Sequence, residues 1–575
     1  MTNKELADTF LLIANLLEIK GEVVYKTLAY RKASENLTNL GRDVNVIWQE
    51  GGQKALLEIP GVGKAIAEKI DELLSSGQMS FLEKLKKEVP EELASLLRIP
   101  DLGPKKIAMF YKELGIKSID ELKAAALDGK LRDLPGMGAK SEAKILTGIE
   151  ALGRRSGRLP LGTVWPFAQE LLESLRTVKG VKRAEVAGSL RRMRASIGDI
   201  DILVSSTDPQ QVIKAFTEAP NVARVTGSGT VKSGVEFHNG MRGQIWVHEP
   251  ARFGTALQYA TGSKEHNVRL REMALDLGLS LSDQSFLKED GSEILCAREE
   301  EVYQLLGMDW VPPEIREDRG EIQLALEHKL PTLIEVKHIK AELHSHTTWS
   351  DGQLSIAEMA TAAIARGYKV LAITDHSAAI GILNGLTPEK VLEQRKEIEQ
   401  VRKQVGDQLT LLQGVEVEVR ADGTLDLPDE VLASLDIVVA SIHQSMRQPR
   451  AQITERMLAA IHHPHVDIIG HPTNRKLPDR EGADLDMDAV LKAAAETDTA
   501  LEINANPARL DLDDVQARRA VEMGIKLSIN TDAHHPDHMD FLFYGVATAR
   551  RGWVAPKNVV NSWTPKQLLD WLNSA

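Results

Sequence analysis

KGVKRAEVAGSLRRMRASIGDIDILVSS, Lys179–Ser206, organises the reading of the whole chain. It reads as a strand, a Gly188-Ser189 turn, a basic segment and a second strand, IDILV, beginning at Ile200. Asp199 and Asp201 stand two apart on that strand, so their carboxylates project from one face and can jointly hold divalent metal. Paired Mg²⁺ or Mn²⁺ ions clamp the attacking and leaving oxygens in phosphoryl transfer. Gly188 and Ser189 offer a backbone N–H and a hydroxyl to a triphosphate, and Arg192 adds its charge. An Asp-x-Asp pair alone is usually plain surface; the Gly-Ser element eleven residues upstream turns the reading toward nucleotidyl transfer.

Upstream, the first 155 residues contain a repeat: IPGVGKAIAEKI from Ile59, IPDLGPKKIAMF from Ile99 and LPGMGAKSEAKI from Leu134. Each copy is an apolar residue, a proline, a glycine-bearing turn and a helical pattern. These resemble helix-hairpin-helix motifs. Gly61, Gly63, Gly103, Gly136 and Gly138 let the backbone approach closely, and the helix that follows presents unpaired N–H groups to a phosphate. Such contacts bind DNA without reading its sequence. The middle copy is the weakest, because Asp101 places an acid where the other copies have glycine.

A chain of 575 residues is expected to hold about three to five domains. No stretch approaches the ~18 consecutive apolar residues of a membrane span, so no membrane partner is expected. The N-terminus has acids on both sides of its apolar residues and reads as an amphipathic helix rather than a cleaved signal. One cysteine, Cys296, excludes an internal disulfide framework and a cysteine zinc cage. A cytoplasmic address and a monomer are the expectations, although nothing in the composition fixes the oligomeric state. The net charge of −13 argues weakly against nucleic acid. Locally, however, Arg176, Lys179, Lys182, Arg183, Arg191, Arg192 and Arg194 face the single acid Glu185. That stripe can track a phosphate backbone or simply form a solvated surface.

Histidine marks a change of chemistry: none of the 16 precedes His238 and 12 fall from His338 onward. Beyond that point short apolar runs end in potential ligands. IKAEL leads to His344 and His346, YKVLAIT to Asp375 and His376, LTLLQGV to Glu416, LDIVVASI to His443, VDIIG to His471, and IKLSINT to Asp532 and His534; a seventh run, ALEINAN, ends in asparagines. Helical patterns separate the runs, so a distorted seven-stranded (β/α) barrel is expected, with its active groups at the C-terminal ends of the strands. Imidazole mixed with carboxylate, without thiolate, suits Mn²⁺, Zn²⁺ or Fe rather than Ca²⁺. Together with Asp351, nine ligands suffice for up to three ions. Bridged metals lower the pKa of water and stabilise phosphoryl charge, the chemistry of phosphoester hydrolysis.

Two resemblances follow from these motifs. GSLRR from Gly188, GDIDIL from Gly198 and LQYATGSKEHN from Leu257 resemble the palm and thumb of the X family of DNA polymerases over residues 1–315. The resemblance implies that Tyr259 and Gly262 lie beside the incoming sugar, that Asn267 meets the base edge and that Arg271 reaches the template side. YKTLAYRKA from Tyr25 and GVGKAIAEKIDELL from Gly61 are similar to that family's deoxyribose-phosphate lyase subdomain. Lys69 would be its Schiff-base lysine, with Lys26 and Tyr30 in support. Such a lysine needs a depressed pKa, which sequence does not show, so lyase activity stays open. HSHTTWSDG, TDH, GVEVE, SIHQ, GHP and TDAH resemble the polymerase and histidinol phosphatase (PHP) superfamily over residues 338–575, with His344, His346, Asp351, His376, Glu416, His443, His471, Asp532 and His534 as the nine metal ligands. His462, His463, His465, His535 and His538 fit no ligand position.

One departure stands out. The X family needs a third aspartate on a strand shortly before the thumb, and that position here is Gln244. A neutral amide neither balances cation charge nor serves as a base, which weakens the polymerase site unless Glu236 or Glu249 substitutes.

The order of motifs is that of bacterial X-family polymerases. It implies a DNA repair enzyme that extends gapped DNA with deoxynucleoside triphosphates and degrades 3′ ends in its PHP domain. The alternative is a DNA-end nuclease or phosphoesterase with a vestigial polymerase half. The expected architecture is multidomain α/β: a helical lyase-like subdomain (1–80), helix-hairpin-helix fingers (81–155), an α+β nucleotidyltransferase palm (156–250), a thumb (251–315), a linker rich in proline and charge (316–337) and the PHP barrel (338–575).

Overall fold

The computed structural model describes residues 1–573 except 2, 39, 41–42, 60, 100–101, 155–157, 380–384 and 479. Asp101 lies outside the described residues. Two compact units divide the chain, Met1–Gly157 and Arg158–Ala575.

The first unit is helical. Its repeat appears as one turn built three times: Ile59 O accepts from Val62 N at 3.0 Å, Ile99 O from Leu102 N at 3.3 Å and Leu134 O from Met137 N at 3.0 Å. Gly61 and Gly136 take φ of +76° and +70° in these turns, a conformation that costs a residue with Cβ. The helices that follow, Lys64–Ser76 and Pro104–Leu114, begin at Gly63 and Gly103 without a side-chain cap, so their first N–H groups stay free for an outside acceptor. Pro104 at the start of the middle helix removes one of those donors, a second reason why this copy is weakest.

The second unit begins with a five-stranded sheet whose spatial order is Val181–Val186, Asp199–Ser206, Arg242–His248, Lys232–Phe237, Val222–Ser228. Asp199–Ser206 and Arg242–His248 run parallel, placing Asp199 beside Arg242 and Asp201 beside Gln244. The helices Leu161–Arg176 and Pro209–Thr217 contribute Leu171, Leu172, Val212 and Phe216 to the core on which this sheet rests. A thumb follows, with the helices Phe253–Thr261, Lys264–Asp276 and Glu299–Leu305 and a small antiparallel sheet.

Residues 316–337, expected as a linker, are instead partly core. Arg316 is fully buried, donates to Glu299 at 2.5 Å and to Val311 O at 2.8 Å, and lies over the Tyr303 and Trp310 rings. Glu321 is fully buried against His266 at 2.7 Å. Part of the charge that suggested a solvated connector is consumed in these buried pairs, while Glu327, Lys329, Glu335 and Lys337 stay exposed.

From Ala341 the chain builds a seven-stranded parallel sheet in sequence order, Ala341–Glu342, Val370–Ile373, Thr410–Glu418, Ile437–Ser441, Ile468–Ile469, Ala500–Asn504 and Leu527–Asn530. A parallel bridge between Ser345 and Ala533 draws the first and last strands together into a nearly closed barrel. The strands are apolar throughout because both faces are covered: Leu371, Val415, Val417 and Ile503 pack against the helices, while Val370, Ala372, Leu412 and Val439 fill the interior. Leu568 and Trp571 of the C-terminal helix Pro565–Leu572 join that interior cluster and plug the end of the barrel opposite the strand C-termini. Among the described residues no helix is long and apolar enough to cross a membrane.

Palm and barrel share a core. Leu510 and Tyr544 of the barrel belong to the apolar cluster of the palm, with Leu477, Phe541 and Phe543 against it. Trp165 meets Phe543 with ring centroids 5.1 Å apart. Truncating a buried leucine removes about 2–5 kcal/mol, so Leu510→Ala is expected to lower the unfolding midpoint of palm and barrel together in a thermal scan. An unmoved midpoint would show that the shared cluster does not hold the two together.

Candidate metal centre and nucleotidyl-transfer site

The strand C-termini bring the nine PHP positions to one locus. Glu416 is fully buried and lies 2.8 Å from His376 Nδ1, 3.0 Å from His471 Nε2, 3.3 Å from His344 Nε2 and His443 Nε2, and 3.5 Å from His346 Nε2. Asp532 lies 3.1 Å from His346 and Asp351 3.2 Å from His534. Three overlapping groups have donor atoms close enough to share an ion: His346, Asp351, His376 and His534; His344, His346, Glu416 and Asp532; His376, Glu416 and His443. The fit to metal is direct. Both Glu416 oxygens, both ring nitrogens of His346 and His471, His344 Nε2 and His376 Nδ1 are buried without a hydrogen bond. Buried polar atoms are normally satisfied, and donors that converge without bonding one another are what a cation requires.

Carboxylates that sequence reasoning missed orient these ligands. Glu502 accepts from His344 Nδ1 and Glu418 from His443 Nδ1, both at 2.8 Å. This fixes each tautomer so that Nε2 faces the centre. Glu342 accepts from Thr531 and from the His344 backbone N–H. A signal was present: Glu342 and His344, Glu416 and Glu418, and Glu502 and Asn504 are each two apart on a strand, hence on one face. Asp375 does not join the donors; it accepts from Thr347, Ser350 and Gln394. Of the histidines outside the nine, His538 accepts from the His534 backbone N–H at 3.3 Å and stacks on Phe541, and His463 faces Asp429.

Burial alone would lower His443, but Glu416 and Glu418 outweigh it and push the imidazole up to about 9. For His534 burial is likewise outweighed, by Asp351 and Asp532, again to about 9. Glu416 is held well below the carboxylate range: burial would raise it, and His376, His344 and His443 overcome that. Burial followed by His534 and His376 drives His346 down to about 3.

In the palm, the Gly188 backbone packs on Asp201, where an added Cβ would lie 2.2 Å from Oδ2. Burial first and Asp199 second raise Asp201 to about 7, as expected for paired carboxylates that await a cation. Gln244 is half-buried beside Asp201. Glu236 lies one strand further out and is bound by Arg224 at 2.8 Å; Glu249 is exposed beyond the strand end. Ser189 is half-buried, and Arg192 donates to Thr261 O at 2.6 Å and to Glu317 at 3.2 Å. A Cβ on Gly262 would meet Arg192 Nη1 at 2.9 Å, so turn and thumb touch here. Asn267 accepts from Gln258 and donates to Tyr259 O, each at 2.7 Å; Arg271 donates to Asn267 O at 3.4 Å, and Tyr259 is exposed. The basic stripe is less free than its sequence suggested: Arg191 pairs with Glu299 at 2.8 Å, Arg194 faces Glu317 at 3.5 Å and Arg176 donates to Ala184 O.

In the helical unit burial lowers Lys69, whose Nζ lies 4.9 Å from the Phe81 ring centre. Lys26 faces the same ring at 5.8 Å and Tyr30 stacks on it. Gly61, Gly63, Gly103 and Gly136 are exposed and Gly138 is half-exposed.

Comparison with known proteins accords with both halves. Residues 1–79 match the helix-hairpin-helix domain family, 53–106 and 93–151 the SAM-like helix-hairpin-helix tandem, 256–317 the DNA polymerase beta thumb and 342–506 the PHP domain. The chain is 39% identical over 573 residues, 99% of each protein, to the DNA polymerase/3′-5′ exonuclease PolX of Bacillus subtilis. It is 25% identical over 349 residues to DNA polymerase lambda of Rattus norvegicus, covering 55% of this chain and 56% of that protein. A probable phosphatase of Thermoanaerobacter is 35% identical over 210 residues, 34% of this chain and 78% of that one. Both halves are matched, so a vestigial polymerase half finds no support.

Burial would lower His344, but Glu502, Glu416 and Asp532 hold it well above the ordinary imidazole range, so metal must displace protons from His344 as well as from His443 and His534. Titration of metal-free protein with Mn²⁺ at pH 7.5, in buffers of differing ionisation enthalpy, is expected to release about three protons. The release should shrink as the pH rises past 9, and a pH-independent proton release would contradict the protonated imidazoles.

Proposed function

We propose, for a chain that belongs to the bacterial X-family DNA polymerases with a C-terminal PHP domain, a DNA repair enzyme that fills gaps at its palm and trims 3′ ends at its barrel. It is a DNA polymerase and a 3′-5′ exonuclease. The observation that carries the nuclease is the convergence of nine imidazole and carboxylate side chains, five of which, His344, His346, His376, Glu416 and His471, present buried nitrogens or oxygens that lack hydrogen bonds. Mn²⁺, Zn²⁺ or Fe ions held there would supply Lewis acidity and lower the pKa of water. The protein's own groups set the stage. Glu502 and Glu418 hold His344 and His443 in one tautomer, and Arg509, 3.5 Å from Asp532, offers a cation to a phosphodiester entering beside it.

At the palm, Asp199 and Asp201 hold Mg²⁺ or Mn²⁺, Gly188, Ser189 and Arg192 receive the triphosphate of a deoxynucleotide, and Tyr259, Gly262, Asn267 and Arg271 frame its sugar and base. Gly61, Gly63, Gly103, Gly136 and Gly138 meet the DNA backbone. The lowered Lys69, shielded by Phe81, supports a lyase nucleophile, because desolvation favours the neutral amine.

Replacing His344 and His346 with alanine removes two ligands and is expected to abolish 3′-5′ degradation of a labelled strand. Degradation at the wild-type rate with confirmed metal loss would overturn the assignment of the nuclease to the barrel.

Gln244, beside Asp201 in register, would leave a metal ion held near Asp199 and Asp201 one anionic ligand short, and Arg224 keeps Glu236 from substituting. Loss of such a group costs ~3 kcal/mol, roughly a hundredfold in rate. Gln244→Asp is therefore expected to speed Mg²⁺-dependent single-nucleotide extension of a gapped duplex up to that extent, read in the nuclease-dead background. Efficient wild-type extension that the substitution leaves unchanged would refute the defect.

A further inference from the structure

Arg551 ends the helix Leu542–Arg551 of the PHP half, yet its bonds lead to the polymerase half. Buried, it donates from Nη1 to the backbone carbonyls of Arg192 at 2.6 Å and Glu314 at 3.2 Å and to Glu317 Oε1 at 3.1 Å; Nη2 donates to Asp514 Oδ2 at 2.8 Å. One guanidinium thus ties together the palm turn, the end of the thumb and a barrel helix. Glu317 also receives Arg192 Nε at 3.2 Å and Arg194 at 3.5 Å, and Asp514 faces Arg319 at 3.6 Å. Four guanidinium groups share two carboxylates.

The consequence concerns Arg192. Three arginines divide Glu317, so none is fully neutralised by it, and the Arg192 head stays available to a polyanion. The Arg192 guanidinium donates to Thr261 O, immediately before Gly262 at the start of the thumb. This is where the incoming nucleotide would lie. Without Arg551 the backbone of Arg192 would lose its cross-domain donor, and Glu317, relieved of one of its three arginines, would hold Arg192 more tightly.

We propose that Arg551 is a positioning residue for nucleotide binding: this PHP-domain side chain holds the palm turn and shares Glu317, so that Glu317 engages Arg192 only in part and the rest of its guanidinium can meet the triphosphate. The inference rests on the reading of Arg192 as a triphosphate ligand. It makes the polymerase half dependent on the nuclease half.

The test uses the full chain. Extension of a gapped duplex by a single deoxynucleotide is measured in the His344→Ala/His346→Ala background, and 3′-5′ degradation of a single strand in the otherwise wild-type chain. Lysine cannot reach four acceptors at once, so Arg551→Lys is expected to raise the nucleotide KM about tenfold while kcat stays within about twofold. Degradation should be unchanged, which also reports that the barrel is folded. Asp514→Asn, which loosens Arg551 without touching the palm, should shift KM in the same direction. Adding Glu317→Gln to Arg551→Lys should restore KM, because the competing carboxylate is gone, an outcome that a merely structural staple would not give.

Arg192→Ala is the control. If it raises KM while Arg551→Lys and Asp514→Asn do not, the inference is overturned. If extension and degradation fall together in both Arg551→Lys and Asp514→Asn, Arg551 is only structural and the inference is equally overturned. If Arg192→Ala leaves KM unchanged, the reading of Arg192 fails first and this inference with it.

Discussion

A carboxylate taken out of water must be matched by positive charge, and Glu416 imposes that requirement at the centre of the barrel. Desolvating one ion costs several kcal/mol even after relaxation, and Glu416 is fully buried with its oxygens unbonded. Its negative charge helps raise His344 and His443, and the same oxygens would be free to hold a cation. Behind the imidazoles, Glu418 and Glu502 serve the same electrostatic balance by fixing which nitrogen points inward. Imidazole orientation and the pull on a cation are two expressions of one charge constraint.

The junction of the two halves obeys a related rule. A buried arginine at the seam, Arg551, has one carboxylate partner in each half, Glu317 and Asp514. Breaking such a pair leaves an uncompensated buried charge, so the seam resists partial opening. The apolar side of the seam is just as shared. Leu510 lies in the core of the palm, and the preceding residue, Arg509, stands beside the metal ligand Asp532. Polymerase core and nuclease rim are therefore one residue apart along the backbone.

The sequence was informative wherever local pattern and chemistry coincide. The nine candidate ligand positions were legible as one cluster because parallel strands deliver functional groups at their C-terminal ends, and the three helix-hairpin-helix turns because one short motif recurs. Partnerships between distant residues were not readable. Arg191 and Arg192 looked like a free basic stripe because Glu299 and Glu317, more than a hundred residues downstream, leave no mark near them. Residues 316–337 looked like a connector because proline and mixed charge usually stay in water, whereas Arg316 and Glu321 are buried. Gln244 is the converse: the sequence showed a missing carboxylate, and strand register sets that amide against Asp201.

The helix Pro565–Leu572 gives the barrel a floor, and a chamber with a floor has one door. A DNA strand that enters over the strand C-termini and the nucleotide cut from it use the same opening, with Trp571 and Leu568 blocking any exit below. Traffic through one door is sequential, because the next nucleotide cannot seat until the last has left.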